Sequence, residues 1–386
     1  MIVGFIITPF VSDEVSKNEL VEITDTRPWL SSVPSKFMVQ IGDKKYVGDD
    51  ISIAYYVKTY TQHNVKIISP LEEDADKKVL SCDICFLIIF DLLEAFHTLP
   101  SRLFQKVRKL FIMPNVYPSY SYQHFVNHKN IYYDYLKVNG VNIIPNLYIS
   151  AKDFENNRED CIKRVTHMEP GDDGKIIGKP VLGQERIDFQ VFYPKFTSER
   201  FEQYLEKMFK SYDGILFQPY IKNLDKNFEY KVMFIGNEVE YAVMVKNKVN
   251  DDVFVDIHDE SFQETLQYAK FAFSKLPPIT FNGKEVSRLM TRIDLSCCHG
   301  EDRFFVSEIE FVPSLFLSNI EKNMNIQVDA LLGQQVEKIL EEIKDTVHIK
   351  RQIVPNITWI YALYAIITLI ILACIFVVYK YIAFKK

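Results

Sequence analysis

Apolar and polar positions divide the chain into short hydrophobic runs separated by mixed segments, and their spacing predicts most elements. MIVGFIITPF reads as an apolar strand, and KFMVQIGDKKYVG as two short strands about a turn at Gly42 and Asp43. DISIAYYVKTYTQ reads as a helix, because Ile51, Ala54, Tyr55 and Val57 fall on one face at helical spacing. VKIISP is a short strand, residues 72–78 a charged surface loop, and DICFLIIFD a fully buried strand with the helix LLEAFHTL behind it. KLFIMP is read as a further strand. Strands separated by helices over residues 1–115 predict an α/β domain with a mostly parallel sheet.

The pattern then changes. Residues 125–136 read as a helix, 141–145 as the start of a strand, and 175–192 as two strands about a turn at Gly183. Residues 199–210 form an amphipathic helix with Phe201, Tyr204, Leu205 and Met208 on one side. ILFQPYI, FEYKVMFIG, EVEYAVMVK, RLMTRIDLSC and RFFVSEIEFV are five strands with short or medium connections, hence antiparallel. Residues 251–290 carry no motif that can be read. The expected organisation is an α/β domain over 1–115, a second α+β unit over 116–325, a helix and linker over 326–350, and a tail over 351–386.

That tail is unlike the rest. No charged residue occurs from Gln352 to Tyr379, and residues 357–379 read ITWIYALYAIITLIILACIFVVY. A helix of this length spans about 35 Å, more than the roughly 30 Å of bilayer hydrocarbon. Trp359, Tyr361 and Tyr364 near one end, with Tyr379 and Tyr381 near the other, match interfacial aromatics. The expectation is a single-pass C-terminal anchor in a lipid bilayer. The N-terminal run lacks the basic start and cleavage site of a signal peptide, so the body is expected in the cytosol.

Composition narrows the chemistry. The 386 residues carry 45 Lys+Arg against 51 Asp+Glu, a formal charge of −6 without a basic run, so no nucleic-acid partner is expected. Cys82, Cys85, Cys161, Cys297, Cys298 and Cys374 show no disulfide framework. Cys82-x-x-Cys85 has no second pair to complete a metal site, and His124 and His128 lack an HExxH context.

Two constellations remain. On a strand, i and i+2 share a face, so Arg292-x-Asp294 and Glu308-x-Glu310 on adjacent strands bring three carboxylates and an arginine together. Hard oxygen ligands of that kind suit Mg²⁺; the alternative is a solvent-facing acidic row. Lys129, Lys179, Lys231 and Lys246 stand on strands or beside turns, where each ammonium either meets a phosphate or snorkels to water.

In order, HKNIYYDYL at Lys129, IIGKPVL at Lys179, ILFQPYI at Gln218, FEYKVMFIGNEV, TRIDL and SEIEFVPS resemble the motifs of the ATP-grasp superfamily. The resemblance implies a pre-ATP-grasp domain before residue 115 and a two-lobed, ATP- and Mg²⁺-binding domain with antiparallel sheets after it. It also implies roles. Lys129 and Lys179 would contact ATP phosphates, and the hinge with Gln218, Pro219 and Ile221 would hold the adenine edge. Glu229 would take the ribose hydroxyls, Lys231 and Lys246 the γ-phosphate, and Arg292 transition-state charge. Asp294, Glu308 and Glu310 would hold Mg²⁺. Two positions depart from the family pattern: Glu310 stands where an Asn is usual, and the phosphate loop VLGQERIDFQVF has Gly183 as its only glycine. The implied activity is a membrane-anchored carboxylate–amine ligase acting through an acyl-phosphate on a small-molecule or peptide acceptor. QPYIKNLDKNFEYKVMFIGNEVEYAV also resembles the inositol 1,3,4-trisphosphate kinase branch, and the glycine-poor loop leaves a silent nucleotide-binding scaffold as a third reading.

Overall fold

The computed structural model describes residues 1–9, 20–183, 186–193, 197–222, 229–245, 252–297, 304–313, 315–324 and 326–347. Its contacts define two units, Met1–Ile339 and Leu340–Lys386. Of the second unit, the described residues 340–347 are helical. Residues 357–379 lie outside the described residues. Among the described residues no helix is long and apolar enough to cross a membrane.

The first unit begins with a parallel sheet of β1 (Ile2–Ile6), β5 (Asn64–Ile68), β6 (Ile84–Leu87) and β7 (Val116–Tyr117), in the order β5-β1-β6-β7. Its central strands are apolar throughout because both faces are covered, as in other parallel sheets: Val3, Phe5, Ile84, Phe86 and Leu87 are fully buried. Helices Asp49–Tyr60 and Leu92–Thr98 follow the predicted segments, the second capped by Asp91, which accepts the N–H groups of Leu93 and Glu94 at 2.9 Å. Beside the parallel sheet, β2 (Leu20–Glu22), β3 (Val39–Ile41) and β4 (Lys44–Gly48) pair antiparallel, and Gly42 takes φ +61° in the β3–β4 turn.

A second sheet, antiparallel, contains β8 (Leu147–Ser150), β9 (Ile176–Pro180), β10 (Gln190–Phe192) and β11 (Gly214–Pro219), in the order β10-β9-β11-β8. Helix Ser198–Met208 covers one face, burying Phe201 and Leu205 against Ile215 and Phe217. The third sheet is formed by β12 (Glu229–Ile235), β13 (Glu238–Val245), β14 (Asp252–Val255), β17 (Met290–Cys297) and β18 (Phe304–Glu310), in the order β14-β13-β12-β17-β18. Between them β15 (Ile279–Phe281) and β16 (Lys284–Val286) close a hairpin over Asn282 and Gly283, both at positive φ.

Alternation decides what the third sheet does. Val232, Phe234, Ile293, Leu295 and Ile309 face helix Gln263–Ser274, where the rings of Phe234 and Phe273 stack 4.1 Å apart. The other side of the same strands is left for Lys231, Arg292, Asp294, Glu308 and Glu310. Apolar packing on one face thus fixes the register of the polar face.

Several expectations are corrected. The charged segment 72–78 is partly helical, since Ala75–Leu80 buries Ala75 and Val79. KLFIMP is not a strand: Lys109, Leu110 and Phe111 end helix Ser101–Phe111, whose buried Val107, Leu110 and Phe111 fall at helical spacing. The helix expected over 125–136 is two, Tyr120–Asn127 and Lys129–Val138, meeting at His128 in an extended conformation. The strand expected at 141–145 starts at Leu147, with only an isolated bridge from Ile143 to Val306 before it. The five-strand run is antiparallel but belongs to two sheets, because ILFQPYI pairs with β9 and β8.

Candidate active site

Register places the acidic cluster. On β17 and β18, Arg292 lies opposite Glu310 and Asp294 opposite Glu308, while Lys231 on β12 lies opposite Asp294. The pairing shifts between Asp294 and Leu295. This irregularity lets Val306 face the core while Glu308, two residues later, faces the site; such bulges re-aim side chains. Ligand atoms of Asp294, Glu308 and Glu310 all lie within 4.8 Å of one another. Oxygen-only donors at that spacing fit a magnesium ion.

The chain's own cations surround these acids. Asp294 is fully buried and accepts Arg292 Nε at 2.7 Å, Arg292 Nη2 at 2.9 Å and Lys231 Nζ at 2.8 Å. Arg292 also pairs with Glu310 at 2.7 Å, Lys129 with Glu308, and Lys231 with Glu229 at 3.4 Å. Burial and Arg292 press the Lys231 ammonium down, but Asp294, Glu229 and Glu310 outweigh them and its pKa is raised. Burial opposes charge on Glu308, yet Lys129, Lys179 and Lys231 hold it well below the usual carboxylate range. Glu310 is raised, by burial first and then by Glu308 and Asp294, despite Arg292.

Lys179 projects from β9 toward the same group. Its ammonium is 3.3 Å from the Tyr133 hydroxyl and 5.5 Å from that ring's centre. Burial lowers its pKa, against the fields of Glu308 and Glu229. On β11, Gln218 stands opposite Ile177 and Leu216 opposite Lys179, so Gln218 and Lys179 share a face. Gln218 is completely buried beside Tyr133, and neither its amide nitrogen nor its amide oxygen makes a hydrogen bond of good geometry among the described residues. Such a group is costly unless a ligand completes it. Pro219 lies opposite Ile176 at the end of β11. The hinge is only partly open: the Tyr220 N–H donates to Lys175 O at 3.1 Å and the Tyr220 carbonyl accepts Asp172 N–H at 2.8 Å. Ile221, next in the chain, is half-buried.

The structure therefore brings Lys129, Lys179, Glu229, Lys231, Arg292, Asp294, Glu308 and Glu310 together, with Gln218 on the same face of β11 as Lys179. Lys246 lies outside the described residues, as do Cys298 and His299. Two residues passed over in the sequence complete the arrangement. Tyr133 donates its hydroxyl to Ser307 O at 2.6 Å, and Ser307 Oγ donates to Glu229 Oε1 at 2.7 Å. Their only signal was position: Tyr133 lies four residues after Lys129, one helical turn, and Ser307 directly precedes Glu308. Cys82 follows helix Ala75–Leu80, and of the Cys82-x-x-Cys85 pair only Cys85 is on β6.

The fold of the chain is similar to that of two solved enzymes. D-cycloserine synthetase DcsG superposes with a TM-score of 0.54 at 15% identity over 74% of this chain and 92% of its own. The D-alanine–D-alanine ligase of Bacillus anthracis, complexed with ATP, gives 0.53 at 13% identity over 90% of this chain and 99% of its own. No protein-family model and no curated protein sequence matches. At these identities the likeness is one of fold.

Proposed function

We propose that the protein binds Mg-ATP between its second and third sheets and joins a carboxylate to an amine through an acyl-phosphate. The observation that carries this reading is the convergence of Asp294, Glu308 and Glu310 among Lys129, Lys179, Lys231 and Arg292, on a fold shared with a ligase solved with ATP. Gln218 would meet the adenine amino group, and the Pro219 carbonyl with the Ile221 N–H would match the acceptor and donor of that base edge. Glu229 would accept the ribose hydroxyls. Asp294, Glu308 and Glu310 would hold magnesium, which supplies charge neutralisation between the phosphates.

Catalysis on this scheme is positioning plus electrostatics. Lys129 and Lys179 fix the phosphate chain, Lys231 and Lys246 screen the γ-phosphate, and an acceptor carboxylate oxygen attacks phosphorus as the bond to ADP breaks. The amine then attacks the acyl carbon, loses a proton and expels phosphate, with Arg292 holding the charge that develops on oxygen. ATP-dependent release of ADP and inorganic phosphate, requiring both a carboxylic acid and an amine, tests this. Transfer of the γ-phosphate to a stable inositol phosphate product would defeat it.

The anchor is part of the same proposal. Its support is the uncharged 357–379 stretch with aromatic residues at both ends. A chain ending at Lys350 is expected in the soluble fraction of lysed cells and the full chain in the membrane fraction; equal partitioning would refute the anchor.

A further inference from the structure

The site's internal charge balance has a consequence for how it loads. Four acids, Glu229, Asp294, Glu308 and Glu310, face four bases, Lys129, Lys179, Lys231 and Arg292, and every acid is paired, Lys179 alone among the bases resting on the Tyr133 hydroxyl. Lys129 holds Glu308, Lys231 holds Asp294 and Glu229, and Arg292 holds Asp294 and Glu310. Asp294 is fully buried, Arg292 is 4% exposed and Lys129 7% exposed, so solvent screens little of the charge at the cluster's floor, while Glu308 and Glu310 are half-buried at its mouth. A divalent ion arriving alone meets carboxylates already neutralised. A polyphosphate arriving alone meets Lys129 and Lys231 already paired, and only Lys179 without an acid.

We infer that the trio Asp294, Glu308 and Glu310 is closed to a bare divalent cation, and that ion and polyphosphate enter only as exchange partners. The polyphosphate draws Lys129 and Lys231 off the acids while the cation replaces them there. The same exchange loosens the grip of Asp294 and Glu310 on Arg292, so the guanidinium is released toward the substrate only in the fully loaded site. This rests on the nucleotide-binding reading above and adds its order of assembly. A second observation sets the nucleotide beside this cluster: the fully buried Gln218 amide, unpartnered among the described residues, lies on the face of β11 that carries Leu216 opposite Lys179.

The coupling is reciprocal, because each ligand changes the other's affinity by the same factor. It also has a signed consequence for variants. Lys129→Gln leaves the cluster one charge negative and should admit bare Mn²⁺; Glu310→Gln leaves it one charge positive and should admit bare polyphosphate.

The experiment uses the full-length protein in detergent, Mn²⁺ detected by electron paramagnetic resonance, and adenylyl imidodiphosphate as the polyphosphate. In the unmodified protein, each probe should tighten the other about 10–100-fold, the range of strong coupling between sites. Lys129→Gln should raise affinity for Mn²⁺ alone, and Glu310→Gln should raise affinity for the nucleotide in chelator. Mn²⁺ binding equally well with and without nucleotide would overturn the inference and leave the nucleotide site standing. Nucleotide binding indifferent to Mn²⁺, with no Mn²⁺ bound in either condition, would overturn the inference and the metal assignment together. The measurement on the unmodified protein decides the matter even if either variant fails to fold.

Discussion

Replacing Gln218 by Met should make the empty protein more stable and weaken its hold on nucleotide. The side chain is fully buried and both amide atoms lack a well-formed hydrogen bond among the described residues, while the neighbouring Tyr133 hydroxyl donates to Ser307 O. A buried, unsatisfied polar group costs about 1–3 kcal/mol. Met has nearly the same volume and shape, so the substitution removes that cost without opening a cavity. For a body of this size about 1 kcal/mol moves the melting temperature by roughly 2–4 °C, so a rise of about 2–12 °C is expected without ligand. With nucleotide part of that gain is lost. A hydrogen bond between Gln218 and adenine is worth about 0.5–1.5 kcal/mol net, so the variant should bind about 3–10-fold more weakly. Ligand-induced stabilisation grows with the logarithm of ligand over dissociation constant, and the variant's increment should shrink accordingly. Thermal melts of both proteins over an ATP titration in magnesium give both quantities from one data set. A destabilised empty variant, or an unchanged nucleotide increment, would refute the assignment of Gln218 as a group that waits for a base.

Other expectations follow from single contacts. Asp294→Asn removes three charge-assisted bonds and leaves Lys231 and Arg292 against a neutral amide; breaking a buried pair costs about 3–5 kcal/mol, to be read from urea denaturation, and magnesium dependence of nucleotide binding should vanish. Burial pushes the Asp50 carboxyl up to about 6 although the Thr8 and Ile51 N–H groups favour its charge. The folded protein therefore holds that proton when the unfolded chain has lost it, so this group's contribution to stability falls as pH rises from about 4 to 6 and stays low above. Asp50→Asn should flatten that part of the stability profile, and an unaltered slope would contradict the burial argument. A Cβ on Gly4 would sit 2.5 Å from Cys85 Sγ and 3.0 Å from Cys82 Sγ, so Gly4→Ala should destabilise by about 1–3 kcal/mol. Adding Cys85→Ala should recover most of that loss, and failure to do so would point to backbone strain in place of the thiol contact.

Periodicity made much of this protein legible. The i, i+2 spacing of Arg292 and Asp294, and of Glu308 and Glu310, put four side chains on one face before any pairing was known, and the strands pair in that register. The parallel sheet was readable because β1 and β6 are apolar at every position. Short elements escaped. The apolar stripe Val107, Leu110, Phe111 shares its residues with KLFIMP, and only its helical spacing separates the two readings. β7, the strand actually present there, is two residues long and held by its neighbour β6. Helix Gln263–Ser274 lies in the stretch where no motif was visible, and its ring stack on Phe234 is a contact between residues 39 positions apart.

The chain by itself determined which residues can carry charge, which faces must be buried, and where an uncharged apolar tail begins, because these depend on neighbours within a few positions. Only the folded arrangement decided that Gln218 is sealed from water without a well-formed hydrogen bond among the described residues, that Ser307 bridges Tyr133 to Glu229, and that every acid of the trio already holds a cation. Those facts depend on distances between strands and helices as much as 179 positions apart, such as Lys129 and Glu308. Local sequence specifies each strand's two faces; the packing of three sheets specifies which faces meet.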